Sequence, residues 1–139
     1  EFYPSWDAEY AAHLADRLGV PLDQALGRLS KGTRVKASFV AAEAYRPSLL
    51  LLDEPTSGLD PAVRGELLGA ILAAVDARAD RVVLFSTHLL EDVEFVANRV
   101  LLLTNGVLQL DATVSDLRDA HRGTGLARIL YAALSRHVS

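Results

Sequence analysis

Four consecutive leucines, followed at once by two acidic residues, most strongly constrain what this chain can fold into. Residues 49–52 offer no polar position for a solvated face. They therefore predict a β-strand buried on both faces, as in a parallel sheet covered by helices. Asp53 and Glu54 then project from the carboxyl end of this strand, the edge at which open α/β sheets bind their ligands. The run predicts an α/β fold with a polar site at Asp53 and Glu54.

Strand and helix patterns alternate through the middle of the chain, and helical patterns alone precede them. Apolar runs predict strands at residues 49–53, 82–85, 100–103 and 107–110. Apolar residues at helical spacing predict helices at residues 6–18, 22–26, 32–45, 61–77, 88–97, 114–120 and 126–136. Asp60 before Pro61 predicts a helix N-cap with proline in the first turn. Asn105-Gly106 predicts the turn of a hairpin. The order of elements indicates an α/β architecture with a mostly parallel sheet.

The composition and net charge of the chain indicate which classes of protein it can belong to. With 139 residues, of which 50% are apolar and 23% charged, the chain is expected to fold as one domain. Its net charge of −4 argues against nucleic acid as a partner. The absence of cysteine favours a reducing compartment, and the apolar runs have the length of strands rather than of membrane spans. Because the chain contains no methionine, even at its start, we expect it to be a segment of a longer reading frame.

The acidic pair admits two interpretations: surface residues that merely end a strand, or a site for phosphate chemistry. One carboxylate can hold Mg²⁺ while the next orients a water for attack on a phosphate. The residues that follow, Pro-Thr-Ser-Gly-Leu-Asp60, favour the site, because a motif in its predicted strand context is more specific than two acids alone. His88 follows the second predicted strand, and its imidazole can bond a phosphate oxygen or the attacking water. Asp60 also has a structural interpretation as a helix cap, worth about 1 kcal/mol.

A second candidate phosphate site precedes the helix predicted at residues 32–45. It is the segment Leu29-Ser-Lys-Gly-Thr33, in which Ser30 is either a simple N-cap or part of a phosphate site at a helix N-terminus. Lys31 adds a cation suited to phosphate. Gly27 and Gly32 have the glycine spacing of a P-loop, but Thr33-Arg34 replaces the required Lys-Ser/Thr pair. No other Gly-x-x-x-x-Gly-Lys pattern occurs in the chain.

Together these motifs resemble those of ABC-type ATPases. Residues 49–60 resemble the Walker B segment and D-loop, Ser86-Thr87-His88 the switch histidine, and residues 29–33 the signature sequence Leu-Ser-Gly-Gly-Gln, with departures at Lys31 and Thr33. The resemblance implies a partial P-loop NTPase fold of the ABC type. It implies an α-helical signature subdomain at residues 1–47, beginning in the aromatic segment at residues 2–7. The C-terminal part of the ATPase core would then occupy residues 48–139.

The resemblance also implies roles for individual residues. Asp53 would hold Mg²⁺, Glu54 would be the general base or water-orienting carboxylate, and His88 would contact the γ-phosphate. Asp60 would contact a partner subunit across the nucleotide interface. Ser30, Lys31 and Gly32 would bind, in trans, the phosphates of ATP held by that partner. The cofactors would be ATP and Mg²⁺.

The expected function is that of an ATP-binding and ATP-hydrolysing subunit of an ABC transporter, present here as a portion without the Walker A loop and Q-loop. Its partners would be a second nucleotide-binding subunit in a head-to-tail dimer and a membrane permease. It would lie in the cytoplasm, on the inner face of the membrane. The alternatives are an ABC ATPase that powers no transporter and a non-hydrolysing module that donates only Ser30 and Gly32 in trans. Leu89 after His88 favours the transporter over translation-type relatives, which carry Asp there.

The missing P-loop strand has a structural consequence in the family. That strand would lie between the strand at residues 82–85 and the later strand at residues 100–103. We therefore expect a gap between these strands, their direct closure, or a strand from another chain. We also expect the chain alone to be inactive as an enzyme.

Overall fold

The computed structural model describes residues 5–77, 79–121 and 124–135. They divide into two compact units, with the boundary between Thr87 and His88. The subdomain boundary predicted after residue 47 falls within the first unit and stays a prediction. The start of the aromatic segment at Phe2 and the end of the last predicted helix at Arg136 lie outside the described residues. No helix among the described residues is long and apolar enough to cross a membrane.

The described residues of the first unit form three α-helices, one short 3₁₀ helix and two strands. They are α1 (Ala8–Arg17), the 3₁₀ helix (Leu26–Arg28), α2 (Lys31–Glu43), β1 (Leu49–Asp53), α3 (Pro61–Asp76) and β2 (Val82–Ser86). The helix predicted at residues 22–26 is wrong, because the chain makes turns there before the 3₁₀ helix. The N-cap of the 3₁₀ helix, Ala25, has no side chain that can bond the free backbone N–H groups, and so short a segment forms a helix poorly without one.

Polar side chains begin all three α-helices of this unit. Asp7 Oδ1 accepts from the Tyr10 N–H at 2.9 Å, and Ser30 Oγ accepts from the Thr33 N–H at 3.0 Å. Asp60 Oδ1 accepts from the N–H groups of Ala62 and Val63, with Pro61 at the first helical position. Each bond satisfies backbone donors that a helix leaves without partners in its first turn. The predicted caps at Ser30 and Asp60 are confirmed.

The two strands of the first unit pair in parallel, as predicted, from Leu49 opposite Val82 to Asp53 opposite Ser86. The prediction that β1 is buried on both faces is wrong. Leu50 is 5% exposed and packs in the core, whereas Leu51 is 64% exposed. Successive residues of a strand point to opposite faces, and only one face of this sheet packs against the helical core, which Leu67 and Ile71 of α3 help to form.

In the part of the second unit that the structure describes, a β-hairpin combines with three helices: α4 (Leu90–Val96), β3 (Arg99–Thr104), β4 (Val107–Thr113), α5 (Val114–Ala120) and α6 (Leu126–Ser135). Strands β3 and β4 are antiparallel, and Asn105 and Gly106 both have positive φ, as their turn requires. The predicted hairpin is confirmed. Val100, Leu117 and Leu130 belong to a separate apolar core under it.

The strands thus form two sheets, β1 with β2 and β3 with β4. The expectation about the missing P-loop strand concerns the placement of β2 relative to β3, which belong to different units, and it stays a prediction.

Candidate functional site

The acidic pair is held by a serine from the neighbouring strand. The register of the parallel pair places Asp53 opposite Ser86 at the carboxyl ends of β1 and β2. Ser86 Oγ donates to Asp53 Oδ1 at 2.6 Å and accepts from the Glu54 backbone N–H at 2.9 Å. A distance of 2.6 Å is typical of a hydroxyl bonded to an ionised carboxylate. One hydroxyl therefore contacts both residues of the pair.

The turn after β1 begins with an unusual backbone conformation. Glu54 has φ +44°, in the left-handed region that residues with a side chain rarely adopt, at a cost of about 1–3 kcal/mol. The Ser57 N–H donates to the Glu54 carbonyl at 3.1 Å, and the Leu59 N–H donates to the Thr56 carbonyl at 3.2 Å. Thr56 is only 1% exposed. Backbone bonds and a buried side chain thus hold the turn that carries Glu54.

The segment at Ser30 packs against the same turn. The Lys31 ammonium donates to the Ser57 carbonyl at 3.0 Å and lies 3.4 Å from the Gly58 carbonyl oxygen. A Cβ on Gly32 would lie 2.9 Å from Cγ1 of Val63, so this close approach requires glycine. The structure therefore places Lys31 against the turn that follows the acidic pair, and Gly32 against the first turn of α3.

These contacts give the side chains of that segment roles within the first unit. Ser30 caps α2, and its Oγ also lies 2.7 Å from the Thr33 hydroxyl. Lys31 is exposed and bonds backbone carbonyls. The roles predicted for Ser30, Lys31 and Gly32 toward the phosphates of a partner stay predictions.

His88 and Asp60 are placed by different elements. Asp60 caps α3, so its structural interpretation is correct, and its predicted contact with a partner subunit stays a prediction. His88 is exposed and belongs to the second unit, two residues before α4 begins at Leu90. Its predicted position on one rim with Asp53 and Glu54 also stays a prediction.

The carboxylate oxygens at the end of β1 are ligands of the kind that Mg²⁺ prefers. Mg²⁺ binds hard oxygens, commonly one or two carboxylates, and completes its octahedron with water and phosphate oxygens. Asp53 is exposed and supplies such a carboxylate. The described residues contain no group of three or more histidine, cysteine or acidic side chains able to hold a metal. Asp53 therefore fits as one carboxylate ligand of a Mg²⁺ ion whose other ligands would come from water or phosphate oxygens.

Sequence reasoning missed two groups in this unit. The sequence places Ser86 only within the segment Ser86-Thr87-His88, and its contacts with Asp53 and Glu54 depend on the register of β1 against β2. No sequence motif assigns a role to Glu43, which lies four residues after Phe39 on an alanine-rich helix. In the structure Glu43 is fully buried, and its carboxylate bonds the guanidinium of Arg81, with Nη1 2.8 Å from Oε2.

Comparisons with known proteins found similarity to one family model and to ATP-binding proteins of transporters. A family model described as "AAA domain, putative AbiEii toxin, Type IV TA system" matches residues 12–91. The ABC transporter ATP-binding protein YtrB of Bacillus subtilis is 34% identical over 119 residues, 86% of this chain and 40% of that protein. The daunorubicin/doxorubicin resistance ATP-binding protein DrrA of Streptomyces peucetius is 33% identical over 130 residues, 92% of this chain and 39% of that protein.

A solved structure described as the ATP-binding subunit of an ABC transporter superposes with a TM-score of 0.75 at 28% identity. The superposition covers 95% of this chain and 57% of that one. This chain therefore spans about two fifths of the length of these relatives and over half of that subunit.

Proposed function

This chain belongs to the family of ABC transporter ATP-binding proteins, and we propose that its residues Asp53, Glu54 and His88 serve the hydrolysis of ATP. The chain corresponds to a portion of a P-loop NTPase fold, so the activity proposed is that of the whole protein that contains it. The proposal rests mainly on one observation: Asp53 and Glu54 lie at the carboxyl ends of two parallel strands, and both are bonded to the hydroxyl of Ser86.

Each residue of the site has a distinct proposed task. Asp53 holds Mg²⁺, and a bound Mg²⁺ ion offsets the negative charge that develops on the phosphate oxygens. Glu54, one residue further along, directs a water toward the terminal phosphate and accepts its proton. His88 bonds an oxygen of that phosphate. The fixed turn at residues 54–58 supports this division, because it gives the two adjacent carboxylates different backbone conformations.

The segment from Ser30 to Gly32 serves a second nucleotide in this proposal. It begins α2, whose N-terminal backbone N–H groups and positive dipole end favour phosphate. We propose that it contacts ATP held by a second nucleotide-binding subunit in a head-to-tail dimer, and that Asp60 contributes to the same interface. Its packing against the turn at residues 57–58 supports a link between the two sites.

We propose that the hydrolysis of ATP by the whole protein drives transport across a membrane. The relatives named above are described as ATP-binding proteins of transporters or of drug resistance. By that likeness, we propose that the whole protein acts on the cytoplasmic face of a membrane, with a permease as its partner. Nucleic acid is not proposed as a partner, since the net charge of −4 offers no electrostatic attraction to it.

The substitution Glu54→Gln tests the proposed base. In the protein expressed from its complete reading frame, we expect ATP turnover to fall by at least about 100-fold, because an amide cannot accept the proton of the attacking water. The affinity for ATP should stay within a few-fold of the original, since the amide keeps the size of the side chain. Steady-state phosphate release and nucleotide titration measure the two quantities.

Glu9→Gln is the matched control, because Glu9 is exposed in the first turn of α1 and undergoes the same chemical change. It should hydrolyse ATP at the original rate. Retained turnover in the Glu54→Gln protein would exclude Glu54 as the base.

A further inference from the structure

We propose that Ser86 is a positioning residue that fixes the relative geometry of Asp53 and Glu54. This inference rests on the proposed function of that pair. Ser86 would touch neither nucleotide nor attacking water in this role. It would act through the two residues to which its hydroxyl is bonded.

The direction of the hydrogen bonds at Ser86 is determined by their partners. The Glu54 backbone N–H can only donate, so it occupies a lone pair of Ser86 Oγ. The single hydroxyl proton is then directed to Asp53 Oδ1 at 2.6 Å. A chain from N–H through O–H to carboxylate runs in one direction, and successive bonds in such a chain polarise and strengthen one another. Ser86 thereby orients the carboxylate of Asp53 and the peptide of Glu54 at the same time.

The backbone of Glu54 needs hydrogen bonds that hold it in its unfavourable conformation. Its φ of +44° is unfavourable for a residue with a side chain and persists only where surrounding contacts hold it. The Ser86 bond restrains the N–H side of Glu54, and the Ser57 bond at 3.1 Å restrains the carbonyl side. Without the hydroxyl, the peptide between Asp53 and Glu54 loses one of these restraints. The two carboxylates would then no longer keep the fixed separation that their different tasks require.

The exposure of Ser86 and Asp53 allows a positioning role in catalysis to be distinguished from a role in the stability of the fold. Both Ser86 and Asp53 are exposed, so water can replace the lost hydrogen bonds in a variant. Removal of the hydroxyl should therefore have little effect on the folded state. Its effect on turnover can still be large, since small displacements of catalytic groups lower rates strongly.

Three variants test the inference in the protein expressed from its complete reading frame. We expect Ser86→Ala to lower kcat for ATP hydrolysis by about 10- to 100-fold while KM for ATP changes less than about threefold. Ser86→Thr keeps a hydroxyl at the same atom and suits a strand, so it should retain most of the activity. Ser38→Ala is the matched control, because Ser38 is also exposed and its hydroxyl donates to the Arg34 carbonyl of its own helix.

A second measurement does not depend on catalysis. Amide hydrogen exchange at Glu54, followed by NMR, reports whether its N–H is bonded. Ser86→Ala should raise the exchange rate of this amide by at least about tenfold, whereas Ser86→Thr and Ser38→Ala should leave it unchanged. The same spectra show whether each variant remains folded.

The two readouts separate failure of the inference from failure of the proposed function. Faster Glu54 exchange in a protein without ATPase activity would support the positioning role and contradict the proposed function. An unchanged Glu54 amide in Ser86→Ala would overturn the inference, whatever its turnover. Failure of Ser86→Thr to restore either the amide or the rate would also count against it.

Discussion

Tyr10 is the residue whose ionisation most directly tests the packing of the first unit. Its hydroxyl donates to Glu43 Oε2 at 3.3 Å, and the guanidinium of Arg46 lies 4.0 Å from the centre of its ring. Burial raises the pKa of Tyr10 above its usual 10.0, and the negative charge of Glu43 raises it further. The folded chain therefore holds the phenol proton more tightly than the unfolded chain does.

This difference predicts how stability depends on alkaline pH. The stabilisation by the neutral phenol is complete below the unfolded pKa of Tyr10 and is lost as pH rises through the higher folded pKa. The free energy of unfolding of the original chain should therefore fall more steeply above pH 10 than that of Tyr10→Phe, which has no proton to lose. Urea unfolding between about pH 8 and pH 11 measures both slopes.

Tyr131→Phe is the control, because Tyr131 is 67% exposed, so its ring is not held in the core of its unit. It should keep the pH dependence of the original chain. An equal slope in Tyr10→Phe and the original chain would exclude Tyr10 as the source.

Lys31 shows how one residue can depart from a family pattern without disturbing the segment that carries it. The signature sequence has glycine at this position, and Lys31 instead donates to the Ser57 carbonyl. A Cβ at Gly58 would collide with the Lys31 ammonium, and Gly58 has φ +65°. Because this ammonium ends a flexible side chain and could move, the left-handed φ of Gly58, rather than the lysine, is what favours glycine at that position.

At the scale of elements, a buried ion pair joins α2 to the segment that enters β2. Glu43, in the last turn of α2, is completely buried, and the side chain of Arg81 is 3% exposed. Arg81 also bonds the Ala74 carbonyl of α3 at 3.3 Å. Charges removed from water are tolerated only when they are paired and hydrogen-bonded. The pair thus adds a polar link between α2, α3 and the segment that enters β2.

A double-mutant cycle tests this link. Glu43→Leu or Arg81→Met alone leaves an uncompensated buried charge and should lower the free energy of unfolding by about 3–5 kcal/mol. The double variant, Glu43→Leu with Arg81→Met, should recover most of that loss, because neither charge remains. Urea unfolding of the four proteins gives the coupling energy.

The exposed pair Arg99–Asp111, on neighbouring strands of the hairpin, provides the control cycle. Its coupling energy should be much smaller, because water screens both partners. Additive losses at Glu43 and Arg81 would show that the pair does not act as a unit.

Several elements could be predicted because residues next to them in sequence determine them. Features that depend on contacts between distant residues could not be predicted. Ser30 and Asp60 start helices, and Asn105-Gly106 makes a turn, because each acts through the backbone next to it. Exposure of Leu51 could not be predicted from four leucines, since it depends on which layer covers each face of the sheet. The bond from Ser86 to Asp53 depends on the register of two strands over thirty residues apart.

At the scale of the whole molecule, the α/β class and the family were predictable because their motifs are contiguous in sequence. Residues 49–60 carry the strand, the acidic pair and the helix cap in one segment. The division of the chain after Thr87 was not predicted, because it reflects contacts between distant residues rather than any local signal. The placement of His88 in the second unit follows from that division.

We expect the 139-residue chain taken alone to bind ATP only weakly. Tight binding of nucleotide phosphates by P-loop proteins depends on a glycine-rich loop whose backbone N–H groups surround them and whose lysine adds a charge. The chain contains no Gly-x-x-x-x-Gly-Lys-Ser/Thr pattern, and Gly27 and Gly32 are followed by Thr33-Arg34. We therefore expect it to bind Mg-ATP with a dissociation constant of about 1 mM or weaker, equivalent to roughly −4 kcal/mol.

Calorimetric titration of the chain with Mg-ATP measures this affinity, after circular dichroism has shown that the chain is folded. The protein from the complete reading frame, titrated in the same buffer, is the reference and should bind far more tightly. Lys31→Ala controls for simple attraction between an exposed cation and the nucleotide, because Lys31 is exposed near α2. A micromolar dissociation constant for the 139-residue chain that survives this substitution would show that its own residues hold the phosphates, and the requirement for a P-loop would be wrong.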